Sequence, residues 1–185
     1  MQTTVAPSTT ATTWQIDAKH SLVEFAVKHM MFTTAKGRFS DITGAIVHDE
    51  ANPAHSSVEV EIATASVDTR DENRDAHLRS GDFFDVERFP TLRFNSTRVE
   101  AAGHDKLRVI GDLTIRDVTR EVVLETELTG RGVNPWGQEV AGFTAETKIN
   151  RKDFGLTWNA ALEAGGVLVS DDVKIILEIQ AAKQQ

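Results

Sequence analysis

From Trp14 onward the dominant period of this chain is two. In residues 21–29, Val23, Phe25, Val27 and His29 fall on one face and Leu22, Glu24, Ala26 and Lys28 on the other. Such alternation marks a strand with one face in a core and one toward water. It recurs with Val58, Val60 and Ile62, and with Leu92 and Phe94. Leu107, Val109, Leu113 and Ile115 share a face, as do Val122, Leu124 and Leu128. Phe143, Ala145, Thr147 and Ile149 form a further set, and Val173, Ile175, Leu177 and Ile179 the last. With Gly37 to Val47 as another strand, about eight antiparallel strands are expected. Long strands leave exposed edges unless the sheet closes, which favours a barrel over a sandwich.

One segment departs from this period. Thr69-Arg70-Asp71-Glu72 fits a capping box, with the Thr69 hydroxyl and the Glu72 carboxylate satisfying each other's amides. Asp75 and Arg79 are spaced as an i,i+4 ion pair, and Gly81 follows as a stop. The spacing predicts one short helix over residues 70–80, too poor in apolar residues for a core and so placed across a barrel end. Phe83, Phe84 and Phe89 follow it, an aromatic cluster in a connection. The stretch from Asn150 to Ser170 is apolar, glycine-bearing and irregular, and a loop of that length is usually functional. Residues 1–13 are rich in Thr, Ser and Ala and read as a disordered tail, which leaves 14–182 as one domain. They carry neither a basic start nor an apolar core of a secretory signal. The expected location is cytoplasmic, or periplasmic or secreted if the chain is a processed form.

Charge and composition narrow the chemistry. A net charge of −8 opposes phosphate backbones and anionic membranes, so nucleic acid is not an expected partner. No run approaches ~18 apolar residues, so no membrane-spanning helix is expected. Cysteine is absent, which removes disulfides and thiolate sites. The six histidines include no His-x-His or His-x3-His pair, so no metal site is expected and the imidazoles read as surface groups. There is no Gly-x-Ser-x-Gly elbow, and Gly130-Arg131-Gly132 lacks the third glycine of a dinucleotide loop. Asp171-Asp172 and Asp82/Asp85 read as solvated acids at turns. Asn95-Ser96-Thr97 is a sequon without a secretion signal to support it. No catalytic residue and no cofactor is expected.

What the chain does carry is apolar surface in excess of a small core. An eight-stranded barrel holds either packed side chains or one ligand. Phe25, Val27, Phe39, Phe94, Leu113, Ile115 and Phe143 are the candidate lining from strands. Phe83, Phe84, Phe89, Leu156 and Trp158 are the candidates from connections that would cover a mouth. His29 continues the face of Phe25 and Val27 and is the candidate polar contact. Arg38 and Arg151 are candidates for meeting a phosphate or carbonyl head.

Several motifs, taken in order, resemble the YceI-like family. They are Trp14-Gln15-Ile16-Asp17 with His20-Ser21, Val27-Lys28-His29-Met30, and Gly37-Arg38-Phe39. Asp68-Thr69, His77-Leu78-Arg79-Ser80 and Asp82-Phe83-Phe84-Asp85 with Phe89-Pro90 follow. Residues 111–116 with Val118-Thr119-Arg120, then residues 150–156 and the final strand, complete a match from about Trp14 to Ile179. The resemblance implies an extended eight-stranded antiparallel lipocalin-like barrel with one short helix across an end. It also implies non-enzymatic binding, transport or sequestration of a long amphiphile in an apolar tunnel. Polyisoprenoids, prenylated quinone-like molecules and fatty amides are the implied ligand classes, and homodimers occur among such proteins. The alternatives are an enzyme acting on such a lipid, with His29 as its base, or a stress or interaction protein with a solidly packed barrel.

Overall fold

Alternating residues pair into one antiparallel ladder that closes on itself. The computed structural model describes residues 11–185, so most of the expected tail lies outside the described residues. The elements run β1 (Ala11–Ile16), β2 (Leu22–His29), β3 (Thr33–Phe39), β4 (Ile42–Asp49), β5 (Ser57–Ala63), β6 (Val67–Asp68) and helix α1 (Glu72–Arg79). The long strands follow: β7 (Thr91–Gly103), β8 (Lys106–Ile115), β9 (Val118–Val133), β10 (Glu139–Asn150) and β11 (Asp172–Lys183). Ala11 to Thr13, expected in the tail, begin β1, with Ala11 opposite Asp49 and Thr13 opposite Val47. Threonine suits a strand, and the Trp14 indole fixes the segment by donating to the Thr12 hydroxyl at 2.8 Å.

The eleven strands make eight staves. β1 and β2 lie end to end along β11, with Ile16 opposite Ala181 and Leu22 opposite Glu178. β4 and β3 lie end to end beside them, and β5 and β6 beside those. Pairing of β7 through β11, and of β11 back onto β1, completes an eight-stranded antiparallel barrel. The interruptions have local causes. Asp17 accepts from the Lys19 amide at 2.9 Å and caps a 3-10 turn over Ala18–His20. The Ser66 hydroxyl donates to the Ala63 carbonyl and accepts from the Asp41 amide, which breaks two staves together. The stretch Gly37 to Val47, read as one strand, is therefore two.

The ring is complete on the β1 side. On the other side β6 pairs only with β3, whereas β7 pairs with β5 and β8. The chain from Thr69 to Pro90 joins β6 to β7 and covers the interior there. Its helix begins two residues later than the capping box predicts. Asp71 is the cap, accepting from the Arg74 amide at 3.0 Å, because Arg70 takes a left-handed φ of 63° that no helix start tolerates. Thr69 instead donates its amide and hydroxyl to buried Asp75, at 2.8 and 2.5 Å. The expected Asp75–Arg79 pair is replaced, since Arg79 donates to the carbonyls of Ala65 and Val67.

Candidate ligand-binding cavity

The inward faces do not fill the barrel. They leave a cavity of about 390 Å³ open at one side, within the roughly 300–1,000 Å³ typical of small-molecule sites. A solidly packed barrel would leave no such space. The strands contribute Phe25, Val27, Phe39, Phe94, Leu113 and Ile115 to the wall, as the alternation predicts. The connections contribute Phe83, Phe84, Leu156 and Trp158. Val58, Val60 and Ile62 of β5 and Leu177 of β11 join Ile42, Leu92, Val122 and Ile149 from other strands, so the wall is almost wholly apolar.

Three expectations need correction. Arg38 points outward, because Gly37 and Phe39 of the same strand are the buried neighbours in the alternation. It pairs with Asp68 at 3.4 Å on the surface. Phe143 faces inward but lies farther along the barrel, against a separate cluster of Trp14, Ala141 and Ala181 that packs the far end. Phe89 is not in the wall; the guanidiniums of Arg88 and Arg116 lie over its ring at 5.1 and 5.6 Å. His29 lines the cavity near the end of β2, as the alternation predicts, and is exposed there because β2 ends in the left-handed residues Met30 and Met31.

The cover is an aromatic assembly. Phe25 meets Phe39 and Phe39 meets Phe84, each at 5.6 Å between ring centroids. Above them His77 of α1 stands edge-on to Trp158 at 4.6 Å and to Phe83 at 5.0 Å. Offset and edge-on rings of this kind add to the energy of burial. The imidazole Nε2 of His77 lies 2.8 Å from Asp82 Oδ2, which sets the ring plane. His77 is the residue sequence reasoning passed over, as one of six scattered histidines. Only its position on a helix followed by Phe83 and Phe84 hinted at a place in the cover.

Arg151 organises the other part of the cover. It is 3% exposed. Its Nε donates to the Ser170 carbonyl at 2.9 Å, and its Nη1 to the carbonyls of Leu156 and Trp158 at 2.7 and 2.8 Å. Burial weakens the guanidinium's hold on its proton, and Asp171, 3.8 Å away, acts in the opposite direction. Expected at a head group, Arg151 instead clamps both ends of the 156–170 loop. Within that loop the Asn159 carboxamide accepts from the amides of Ala160, Leu168 and Val169 and donates to the Val169 carbonyl.

Several polar groups elsewhere on the lining are already partnered. Arg74 donates to the Thr69 hydroxyl and carbonyl, Lys28 to the Thr34 hydroxyl, and Lys36 pairs with Glu24. Among the described residues no three His, Asp or Glu side chains converge as a metal site. Gly37 sets the width of one wall, because a Cβ there would stand 2.3 Å from Phe25 Cζ and 2.9 Å from Thr69 Cγ2. Gly37→Ala is expected to drive the Phe25 ring into the cavity. Overpacking of this kind costs about 1–3 kcal/mol. Urea unfolding should show that loss and lipid titration a reduced capacity; unchanged values in both would refute the close contact.

Comparison with known proteins agrees with this geometry. A family model described as the YceI-like domain matches residues 14–181. Protein YceI of Escherichia coli O157:H7 is 40% identical over 182 residues, covering 97% of this chain and 92% of that protein. Protein YceI of Salmonella newport is 39% identical over 180 residues, covering 96% and 91%. Among solved structures, the Campylobacter jejuni YCEI protein superposes with a TM-score of 0.74 at 31% identity, covering 85% of this chain and 90% of that one. Burkholderia cenocepacia BcnA shares the fold at a TM-score of 0.79 and 24% identity, covering 89% and 98%. The family model over residues 14–181, with relatives about 40% identical across nearly all of both chains, places the chain in the YceI-like family.

Proposed function

We propose that this protein binds a long amphiphile of the isoprenoid type within the barrel and carries or sequesters it unchanged. The observation that carries the reading is the apolar cavity in the barrel, where Arg74, Lys28 and Lys36 of the lining are held by protein partners. Such a site rewards hydrocarbon and asks little of a head group. Each buried methylene is worth about 0.8 kcal/mol, so one isoprene unit supplies several kcal/mol before the costs of association. A domain from Saccharophagus degradans described as polyisoprenoid-binding shares the fold, with a TM-score of 0.70 at 15% identity. That likeness supports the class of ligand and leaves its length and head open. No bond need be made or broken for this role.

The decisive measurement is mass spectrometry of an organic extract from natively purified protein, against a matched blank. One amphiphile in near-stoichiometric amount is the expected result. If the extract is empty, titration with a detergent-dispersed fluorescent polyprenol should still saturate at one site. Failure of both would overturn the proposal. Chemical change of the bound lipid during incubation would replace it with an enzymatic one.

A further inference from the structure

The cavity stops short of the barrel's far end. Along β11, Ile175, Leu177 and Ile179 line it and Ala181, the next inward residue, does not. Along β9, Val122 and Leu124 line it and Leu128 does not. Along β10, Thr147 and Ile149 line it and Phe143 does not. The layer beyond is the second cluster, in which Ile46, Leu128 and Phe143 pack against Trp14, Ala141 and Ala181. Phe143 stands opposite Ile179 across the ladder, and Ile46 belongs to both clusters, so this layer is the floor of the cavity.

Three features make the floor firm. Ala141 and Ala181 are buried and small, and the buried Trp14 indole takes up the room they leave. β1, which carries Trp14, pairs with β4 on one side and β11 on the other, so the ring is closed at this level. β9 also has one residue too many here. Leu128 pairs with Phe143 and Gly130 with Gly142, which leaves Thr129 as a bulge. A bulge bends its strand and sharpens its twist, and this one stands beside two of the side chains that end the cavity.

The space above the floor is about 390 Å³. A water molecule's share of liquid volume is roughly 30 Å³ and a methylene group is of similar bulk, so about thirteen carbons fill that space. We infer that the layer of Trp14, Ile46, Leu128 and Phe143 is a stop that sets chain length, and that the barrel holds a hydrocarbon of roughly two to three isoprene units or its straight-chain equivalent. The inference rests on the proposed lipid-binding role and adds a ceiling to it. Burial yields affinity only for carbons that meet the wall. A longer chain leaves its surplus at the open side, in water, where added length gains nothing.

The test is a chain-length series on the full chain. Prenols of one to four isoprene units, and straight-chain alkanols of matched length, displace diphenylhexatriene from the cavity. They are delivered as monomers, because micelles compete for the longer chains. Affinity should rise at least about tenfold from one unit to two, rise less to three, and stay within about threefold from three to four. Phe143→Ala lowers the floor and should make the step from two units to three as large as the first. Leu128→Ala should act in the same direction more weakly, and serves where Phe143→Ala fails to fold. A wild-type affinity that climbs tenfold per unit through all four would overturn the stop. So would a plateau that stays in place in a folded variant. An alkanol plateau with no binding of any prenol would sink the isoprenoid carrier role and leave the stop standing. Absence of binding in both series would overturn both.

Discussion

Val27→Trp is expected to abolish lipid uptake and leave the barrel folded. Val27 projects from β2 into the cavity and pairs with Ala35 across the ladder, so an indole there has open space ahead of it. In a close-packed core the same enlargement would cost about 1–3 kcal/mol. Here the ring enters volume that is otherwise unoccupied by protein, and unfolding free energy should change by less than about 1 kcal/mol, by the same reasoning. Uptake should fall far more. Excluding about four methylenes of ligand from the wall forfeits roughly 3 kcal/mol, on the order of a hundredfold in affinity. Urea unfolding and titration with a fluorescent polyprenol separate the two effects. Retained uptake would mean that the ligand does not lie along β2, and a collapse in stability would mean that the space is not there.

Removing the Arg151 guanidinium should have the larger effect on stability. Arg151→Met preserves the aliphatic stem but strips donors from the carbonyls of Leu156, Trp158 and Ser170. Hydrogen bonds from a charged donor contribute about 1.5–3 kcal/mol each. Part of that loss is offset, because the variant no longer takes a guanidinium out of water. Asp171 keeps a partner in Lys152 at 3.2 Å, so no stranded charge is left behind. A net loss of about 2–4 kcal/mol is expected from these opposing contributions. Limited proteolysis should cut the 156–170 loop first, and bound lipid should leave faster. Arg151→Lys should fall between, since one ammonium cannot serve three carbonyls arranged around a planar fork. If loop protection and stability were both unaffected, the clamp would be decorative.

The sequence and the structure agree where one residue's neighbours along the chain determine its environment. Alternation placed Phe25, Phe94, Leu113 and Ile115 on the inner face, and pairing puts them there. The same rule read strictly would have turned Arg38 outward, because it lies between two inward residues; it was the charge, not the pattern, that misled. Phe143 shows a different limit. Alternation determines which face a side chain occupies and carries no information on depth along the barrel, so a residue of the far-end cluster and a cavity residue look alike. The broken staves were hidden because each break depends on a distant partner, as when Ser66 captures the Asp41 amide. Arg151 and His77 were illegible for the same reason. A cation after a strand reads as solvated until three carbonyls from a folded loop surround it, and a histidine in a polar helix reads as exposed until Trp158 arrives beside it.

The breaks at 17–21, 40–41 and 64–66 fall side by side across three neighbouring staves. A sheet interrupted at one level in adjacent members has a crease, which the unbroken β11 spans by pairing with both β1 and β2. Below the crease the closed ring of β1, β4 and β5 with the long strands acts as a base whose residues answer to closure. Above it lies the leaf of β2, β3 and β6, which gives the cavity Phe25, Val27 and Phe39. A substitution in the leaf changes only one part of the cavity wall, because Val58, Val60, Phe94 and Leu113 of the base and the long strands line the same space.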